Sequence, residues 1–303
     1  MARPLRIGTR SSALALAQTA EVAAAMRRHG QMVEIVPIRT TGDREQRDPS
    51  TLLGTGIFVK ELEEALLAGR IDLAVHSAKD LPTAETAGLA VAAFLARGDP
   101  HDALVGGRTP RLHALPAGGK VGTDSPRRRA FLLAARPDLE IAGIRGNVDT
   151  RLRKLAQGRY DAIVVAAIGL RRLGLADRIG EVLPPDVMLP AVGQGAIAVQ
   201  ARTASAAATI AAALDHLPTR QELAAERAFL RTVGGGCRAP IAALARSDGA
   251  HLTLEGAVIS PDGRRMVRDR LEGPAGQSAA LGLALAEALL SRGAAGVYQG
   301  SRA

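Results

Sequence analysis

The sequence predicts an α/β protein made of two similar domains, followed by a smaller α+β domain. Three observations support this: an aliphatic composition, an ordered repeat across the first two-thirds, and a change of pattern after it. The 303 residues fit two or three domains. Hydrophobic residues are 47% of the chain but aromatics only 2%, so the cores must be built of Ala, Leu, Val and Ile. Apolar residues come in short runs broken by charge, and with no apolar stretch of about 18 no membrane span is expected. The N-terminus, "MARPLRIGTR", has no apolar signal core. A single cysteine allows no internal disulfide, and a soluble cytoplasmic protein is the expectation.

The repeat supplies the elements of the first two domains in order. "IGTRSS" (Ile7–Ser12) returns as "VGTDSP" (Val121–Pro126), each ahead of an Ala/Leu-rich helical stretch. "EIVPIR" (Glu34–Arg39) is echoed by "EIAGIR" (Glu140–Arg145). "VKELEEALLAGRIDLAV" (Val59–Val75) matches "VDTRLRKLAQGRYDAIV" (Val148–Val164), with Val, Leu, Gly, Arg, Asp and Val at the same offsets. Each copy reads as strand, Gly-Thr-x-Ser turn, helix, strand, loop, helix, strand, which implies parallel β-α-β units. Ligands of such folds bind beyond the carboxyl ends of strands. The turns open helices, where unpaired backbone N–H groups favour anions; simple helix capping explains each turn equally well.

The copies differ at one place. Between Arg39 and Val59 lies "TTGDREQRDPSTLLGTGIF", where the second copy has only "GN". This polar, Gly-containing insert reads as a lid loop. After the repeat, "LPAVGQGAIAVQ" (Leu189–Gln200) is a glycine-hinged crossover whose apolar tail forms a strand returning to the first domain. "PTRQELAAERAFLRTV" (Pro218–Val233) is a helix that stops at glycines. Three apolar runs follow, two of them joined by a "PDG" turn, and "SAALGLALAEALLSRG" closes the chain as a helix. The expected domains are therefore 1–95 with 196–213, then 100–189, then 217–303.

The net charge is +9, from 39 Lys and Arg against 30 Asp and Glu. Arg predominates, and its planar fork suits carboxylates or phosphates. Nucleic acid fits poorly: no zinc-finger spacing is present, and only four Phe and two Tyr are available to stack on bases. No metal is called for. The loop "HSAKDLP" (His76–Pro82) follows a buried-strand pattern and concentrates Ser77, Lys79 and Asp80. Asp80 there reads as an acid, base or cation stabiliser, or equally as a solvated turn residue. The matching loop, "AAIGLRRLG", offers Arg171 and Arg172 and no acid. Arg10, Arg39, Arg127, Arg128, Arg145 and Arg151 also lie in loops or helix starts, so a cleft between the domains would bind a polyanion.

Cys237 stands in "TVGGGCRAPIAAL". A lone cysteine is commonly a small buried hydrophobe. Here Gly234, Gly235 and Gly236 supply no cover for the sulfur and let a backbone approach a ligand, and Arg238 is at hand to favour a thiolate.

Together these segments resemble the porphobilinogen deaminase (hydroxymethylbilane synthase) family. The likeness runs over essentially the whole chain, through "LRIGTRSSALALAQ", "FVKELEEALL", "DLAVHSAKDLP", "RGNVDTRL", "YDAIVVAAIGLRRLG", "LPAVGQGA", "ERAFL" and "GGGCRAPI". The resemblance implies two periplasmic-binding-protein-like domains with mainly parallel sheets around a cleft, plus a C-terminal α+β domain. It implies a dipyrromethane cofactor attached through a thioether at Cys237. Four porphobilinogen units are added to this primer with loss of ammonia, and hydroxymethylbilane is released. It assigns catalysis to Asp80, and cofactor binding to Ser77, Lys79, Asp80, Thr123, Ser125, Arg127, Arg128, Arg145 and Gly146. Substrate binding falls to Arg10, Ser11, Phe58, Arg145, Arg151, Arg172 and Gln194. A cytoplasmic monomer is implied, with no nucleic-acid or membrane partner.

Three positions depart from the family pattern. Thr55 stands where a lysine between two glycines is usual, and Asp124 and Pro126 alter the usual G-T-S-S-L-R-R. These changes bear on affinity and turnover. The competing reading is a non-catalytic two-lobed anion-binding protein, which needs neither Cys237 nor the third domain.

Overall fold

In the computed structural model the first repeat forms β1 (Leu5–Arg10), α1 (Ala13–Arg28), β2 (Val33–Ile38), α2 (Lys60–Leu67) and β3 (Leu73–Ser77), followed by β4 (Leu89–Phe94). The structure describes residues 3–38, 59–106, 111–234 and 239–299. The second repeat forms β6 (Lys120–Gly122), α3 (Pro126–Ala135), β7 (Glu140–Ala142), α4 (Val148–Ala156) and β8 (Ala162–Ala166). It is preceded by β5 (Asp102–Gly106) and followed by α5 (Ala167–Arg172) and β9 (Glu181–Leu183). Then come β10 (Ile197–Arg202), α6 (Ala206–Ala212), α7 (Leu217–Val233), β11 (Ile241–Ser247), β12 (His251–Ile259), β13 (Met266–Pro274), α8 (Ser278–Ser291) and α9 (Ala294–Gln299). The strand, helix, strand, helix, strand order read from each copy is the order observed. The predicted lid insert lies outside the described residues.

The chain divides into two units, Met1–Gly98 with Gly195–Arg220, and Asp99–Gln194 with Gln221–Ala303. The first unit's five-stranded sheet runs β2-β1-β3-β10-β4. β1 is parallel to β2 and β3, whereas β10 is antiparallel to β3 and β4. The apolar tail of the crossover thus returns to the first unit, as its sequence suggests. The second unit's sheet runs β7-β6-β8-β5-β9, again parallel around β6 with β5 reversed against β8 and β9. Each sheet therefore carries one reversed strand in its fourth position. The fold is α/β with two sheets of mainly parallel strands. The second unit also holds an antiparallel sheet, β11-β12-β13, with a tight return at "PDG".

Aliphatic packing closes each sheet. Ile7, Val22, Met26, Leu73 and Val199 are buried where α1 lies on the first sheet. Leu104, Val121, Phe131, Leu132 and Val164 do the same in the second, joined by Leu244 and Ile259 of the antiparallel sheet. Phe229, Leu254, Leu285 and Leu289 form the core under α7 and α8. Each such side chain contributes about 1.5–3 kcal/mol. The paired glycines of the two turns serve this packing. A Cβ at Gly122 would stand 3.0 Å from the Tyr160 ring, and one at Gly8 would overlap Ile71.

Candidate functional site

In the first unit the candidate acid sits where strand-end chemistry requires. β3 ends at Ser77 and turns through a single 3₁₀ turn, Ala78–Asp80. Lys79 and Asp80 are exposed, and the Ala78 N–H donates to Ala196 O at 3.0 Å. Ser77 is held from α1: its Oγ lies 3.0 Å from Gln18 Nε2 and 3.1 Å from Gln18 Oε1. Gln18 escapes a reading of the sequence because it faces inward within an Ala/Leu helix and its partner lies 59 residues away.

Behind this loop runs a buried polar chain. His76 Nε2 lies 3.0 Å from Gln200 Oε1, Gln200 Nε2 donates to Glu63 Oε1 at 2.8 Å, and Thr86 Oγ1 donates to Glu63 Oε2 at 2.8 Å. Burial lowers the His76 pKa to about 4; the Gln200 hydrogen bond opposes this and the nearby Arg10 charge adds to it. His76 is thus neutral at neutral pH. Arg10 is half-buried and Ser11 exposed. Ser12, one residue further on, caps α1 by accepting the Ala15 N–H at 3.3 Å.

The second unit repeats the turn with a different result. Thr123 is buried, and its Oγ1 accepts the Ser125 N–H at 3.1 Å. Ser125 caps α3 by accepting the Arg128 N–H at 3.4 Å, with Pro126 preset at the first helical position. This cap orients two consecutive arginines inward onto Asp102 of β5. Arg127 reaches Asp102 Oδ2 at 2.7 Å and Leu189 O at 2.7 Å. Arg128 donates through Nε to Asp102 Oδ1 at 2.9 Å and through Nη1 to Val164 O at 3.0 Å. Gln194 Nε2 completes the cluster, 3.1 Å from Asp102 Oδ1 and 2.7 Å from Pro100 O. Burial pushes the Asp102 carboxyl up, but the two guanidinium charges prevail and hold it at about 2. Asp102 is the residue that sequence reasoning missed: its partners lie 26 and 92 residues away, and "DALVG" looks like any buried strand.

The remaining second-unit candidates lie further along the chain. Arg145 is half-exposed, with Asp124 3.9 Å away. Gly146 has φ +111°, and a Cβ there would meet Thr150 Cβ at 2.8 Å, so the position demands glycine. Its carbonyl accepts the Arg151 Nε–H at 2.8 Å. Burial lowers the Arg151 pKa, the Arg128 charge adds to this, and Asp124 opposes it. Arg172 ends α5, and the adjacent Arg171 pairs with Asp99 at 2.7 Å. Arg39, Thr55, Phe58, Cys237 and Arg238 lie outside the described residues.

The second-unit donor set fits a ligand rich in carboxylates. Arg127 and Arg128 share one carboxylate, Asp102, and the Arg151 guanidinium also feels the Arg128 charge, so positive charge is in surplus among these groups. Desolvated guanidinium groups of this kind bind carboxylates strongly. Among the described residues no group of three or more His, Cys, Asp or Glu is placed to hold a metal, and no helix is long and apolar enough to cross a membrane.

The chain is thus an α/β protein with an exposed acid at a strand end of one unit and guanidinium groups around the matching turn of the other. Residues 5–209 match the family model described as "Porphobilinogen deaminase, dipyromethane cofactor binding domain", and residues 220–291 match "Porphobilinogen deaminase, C-terminal domain". The chain belongs to the porphobilinogen deaminase family. It is 51% identical to the porphobilinogen deaminase of Acidothermus cellulolyticus, covering 96% of this chain and 89% of that one. It is 49% identical to that of Roseiflexus sp., covering 99% and 100%. Among solved structures, a periplasmic substrate-binding protein of an ABC transporter from Coxiella burnetii aligns with TM-score 0.44 and 17% identity, over 71% of this chain and 93% of that one. A methionine-bound nutrient binding protein from Burkholderia cenocepacia aligns with TM-score 0.44 and 13% identity, over 68% and 89%.

Proposed function

We propose that this chain polymerises four porphobilinogen molecules on a covalently attached dipyrromethane and releases hydroxymethylbilane, with loss of ammonia at each addition. The observation that carries this is the match of both family domain models, the first being a cofactor-binding domain, in sequence order along the chain. The match at residues 220–291 also disfavours a non-catalytic anion binder, which has no need of that domain. The reading divides the chain into domains 1–95 with 196–213, 100–189 and 217–303. It makes the enzyme a cytoplasmic monomer whose partners are small pyrrole polycarboxylates, with neither nucleic acid nor membrane.

When bound, the dipyrromethane supplies a nucleophilic pyrrole carbon. Cys237 would hold it by a thioether. Ser77, Lys79, Thr123, Ser125, Arg127, Arg128, Arg145 and Gly146 would hold its carboxylates, and Arg10, Ser11, Phe58, Arg145, Arg151, Arg172 and Gln194 those of the substrate. Asp80 acts on the incoming porphobilinogen. Its carboxyl protonates the amine, the carbon–nitrogen bond breaks, and the bonding electrons leave with ammonia. The resulting carboxylate then faces the cationic methylene-pyrrole and stabilises it. Exposure of Asp80 at the end of β3 supports this role, because the proton must reach a bound substrate.

Intact-mass spectrometry tests the reading. The purified protein should carry an adduct with the mass of two linked pyrroles, absent from Cys237→Ser. A bare-thiol mass after expression in cells making porphobilinogen overturns it.

A further inference from the structure

β11 is an edge strand, and an open edge exposes unpaired N–H groups. Its outward donors are all met. Ala243 N–H donates to Pro190 O at 3.2 Å, Ala245 N–H to Glu226 Oε1 at 2.8 Å, and Ser247 N–H to Glu222 Oε1 at 3.1 Å. Glu222 and Glu226 lie four residues apart on α7 and so share a face. Edge protection accounts for these three bonds. It does not account for a fourth: the other oxygen of Glu226, a residue with 0% exposure, accepts the Gly193 N–H at 2.7 Å.

Gly193 has φ +74° and directly precedes Gln194, whose amide is bonded to Asp102 and Pro100. One buried carboxylate therefore joins three things: the helix that precedes the Cys237 segment in the chain, the strand that follows it, and the turn that seats Gln194 on the Asp102–Arg127–Arg128 cluster. The two N–H donors reach different oxygens of Glu226, and in an amide one of those positions would be an NH₂, a donor facing a donor. Burying an acid is costly, but an apolar residue in its place would leave both N–H groups without an acceptor.

We propose that Glu226 is a positioning residue for cofactor assembly, fixing α7 and β11, the elements that flank Cys237 in the chain, against the turn that seats Gln194 on the guanidinium cluster. The proposal rests on the reading in which Cys237 carries the dipyrromethane. That cofactor must be covalently fixed at one end while its carboxylates meet Arg127 and Arg128 at the other. A change in that placement then costs loading, not only stability.

The test uses Glu226→Gln, with Glu222→Gln as control because Glu222 caps the same edge at Ser247, whereas the Gly193 N–H goes to Glu226. Two quantities are read: the fraction of protein carrying the two-pyrrole mass, and the rise in Tm of loaded protein over its Cys237→Ser counterpart. Glu226→Gln should cut loading about tenfold, or reduce the Tm rise by at least half. Glu222→Gln should lower both Tm values together and leave the rise intact. If Glu226→Gln behaves like the control, edge protection is its whole role and the proposal fails. Should Glu226→Gln not fold, Glu226→Asp serves, since its shorter arm cannot reach both N–H groups; full loading there also overturns the proposal. A wild-type protein without the adduct instead overturns the underlying reading.

Discussion

The two five-stranded sheets share a strand order but place different groups at the ends of their strands. In the first, Asp80 is exposed at the end of β3 and His76 is neutral and bonded to Gln200, while the buried acid, Asp72, pairs with Arg3 and Arg6 just before β3 begins. In the second, the acid is inside and the cations surround it: Asp102 has 0% exposure and grips Arg127 and Arg128. An exposed carboxyl can exchange a proton with a substrate. A carboxyl locked between two guanidinium groups fixes their direction instead. The topology permits either arrangement, and the difference arises from where one aspartate falls relative to its sheet.

Five substitutions test that contrast. Asp80→Ala should have the largest effect, lowering hydroxymethylbilane release at least about 100-fold with little change in the urea unfolding midpoint. Normal turnover would remove the acid from the first unit's account. Asp102→Ala should do the reverse, costing about 3–5 kcal/mol of stability by leaving two buried guanidinium groups without their counter-charge. A midpoint equal to wild type would mean the cluster relaxes freely.

The third concerns pH. His76 titrates near 4 when folded and near the ordinary value of 6.5 when unfolded. Between these values the unfolded chain binds the proton and the folded chain does not. Stability should therefore fall as pH drops through that window, by about 1.4 kcal/mol per pH unit from this group. His76→Asn should flatten the slope there; an unchanged slope would place the titration elsewhere.

The smallest effects belong to the caps. Ser12→Ala and Ser125→Ala should each cost about 1 kcal/mol. Only Ser125→Ala should also lower the fraction of protein carrying the two-pyrrole mass. Equal loading in both variants would reduce Ser125 to a cap and nothing more.

The repeat made most of the architecture legible, because aliphatic strands and Gly-Thr-x-Ser turns recur at fixed offsets. The return of β10 to the first sheet was legible too, from the apolar run after the glycine hinge. Cys237 and Asp80 announced themselves by unusual neighbours. Asp102, Gln18, Glu63 and Glu226 did not. Each is a single polar residue in an ordinary-looking strand or helix, and its meaning lies in partners remote in sequence. The turns were also less alike than their letters. The helix begins one residue earlier in the second copy, where proline replaces the capping Ser12, so Ser11 and Ser125 align in sequence but not in role. The arginines were read as a set, and only the structure separates the buried pair at Arg127 and Arg128 from the half-exposed Arg145.

The reversed strand β10 bears on the order of assembly. All five strands of the second unit's larger sheet come from one continuous stretch, Asp102 to Leu183. The first unit's sheet is interrupted: β3 and β4 have no direct pairing, and the strand between them begins only at Ile197. A chain emerging from the ribosome must hold the first unit incomplete while the second is made. The earlier-synthesised half is thus the later to close, with apolar strand edges exposed in the interval, and early termination before β10 leaves an aggregation-prone fragment.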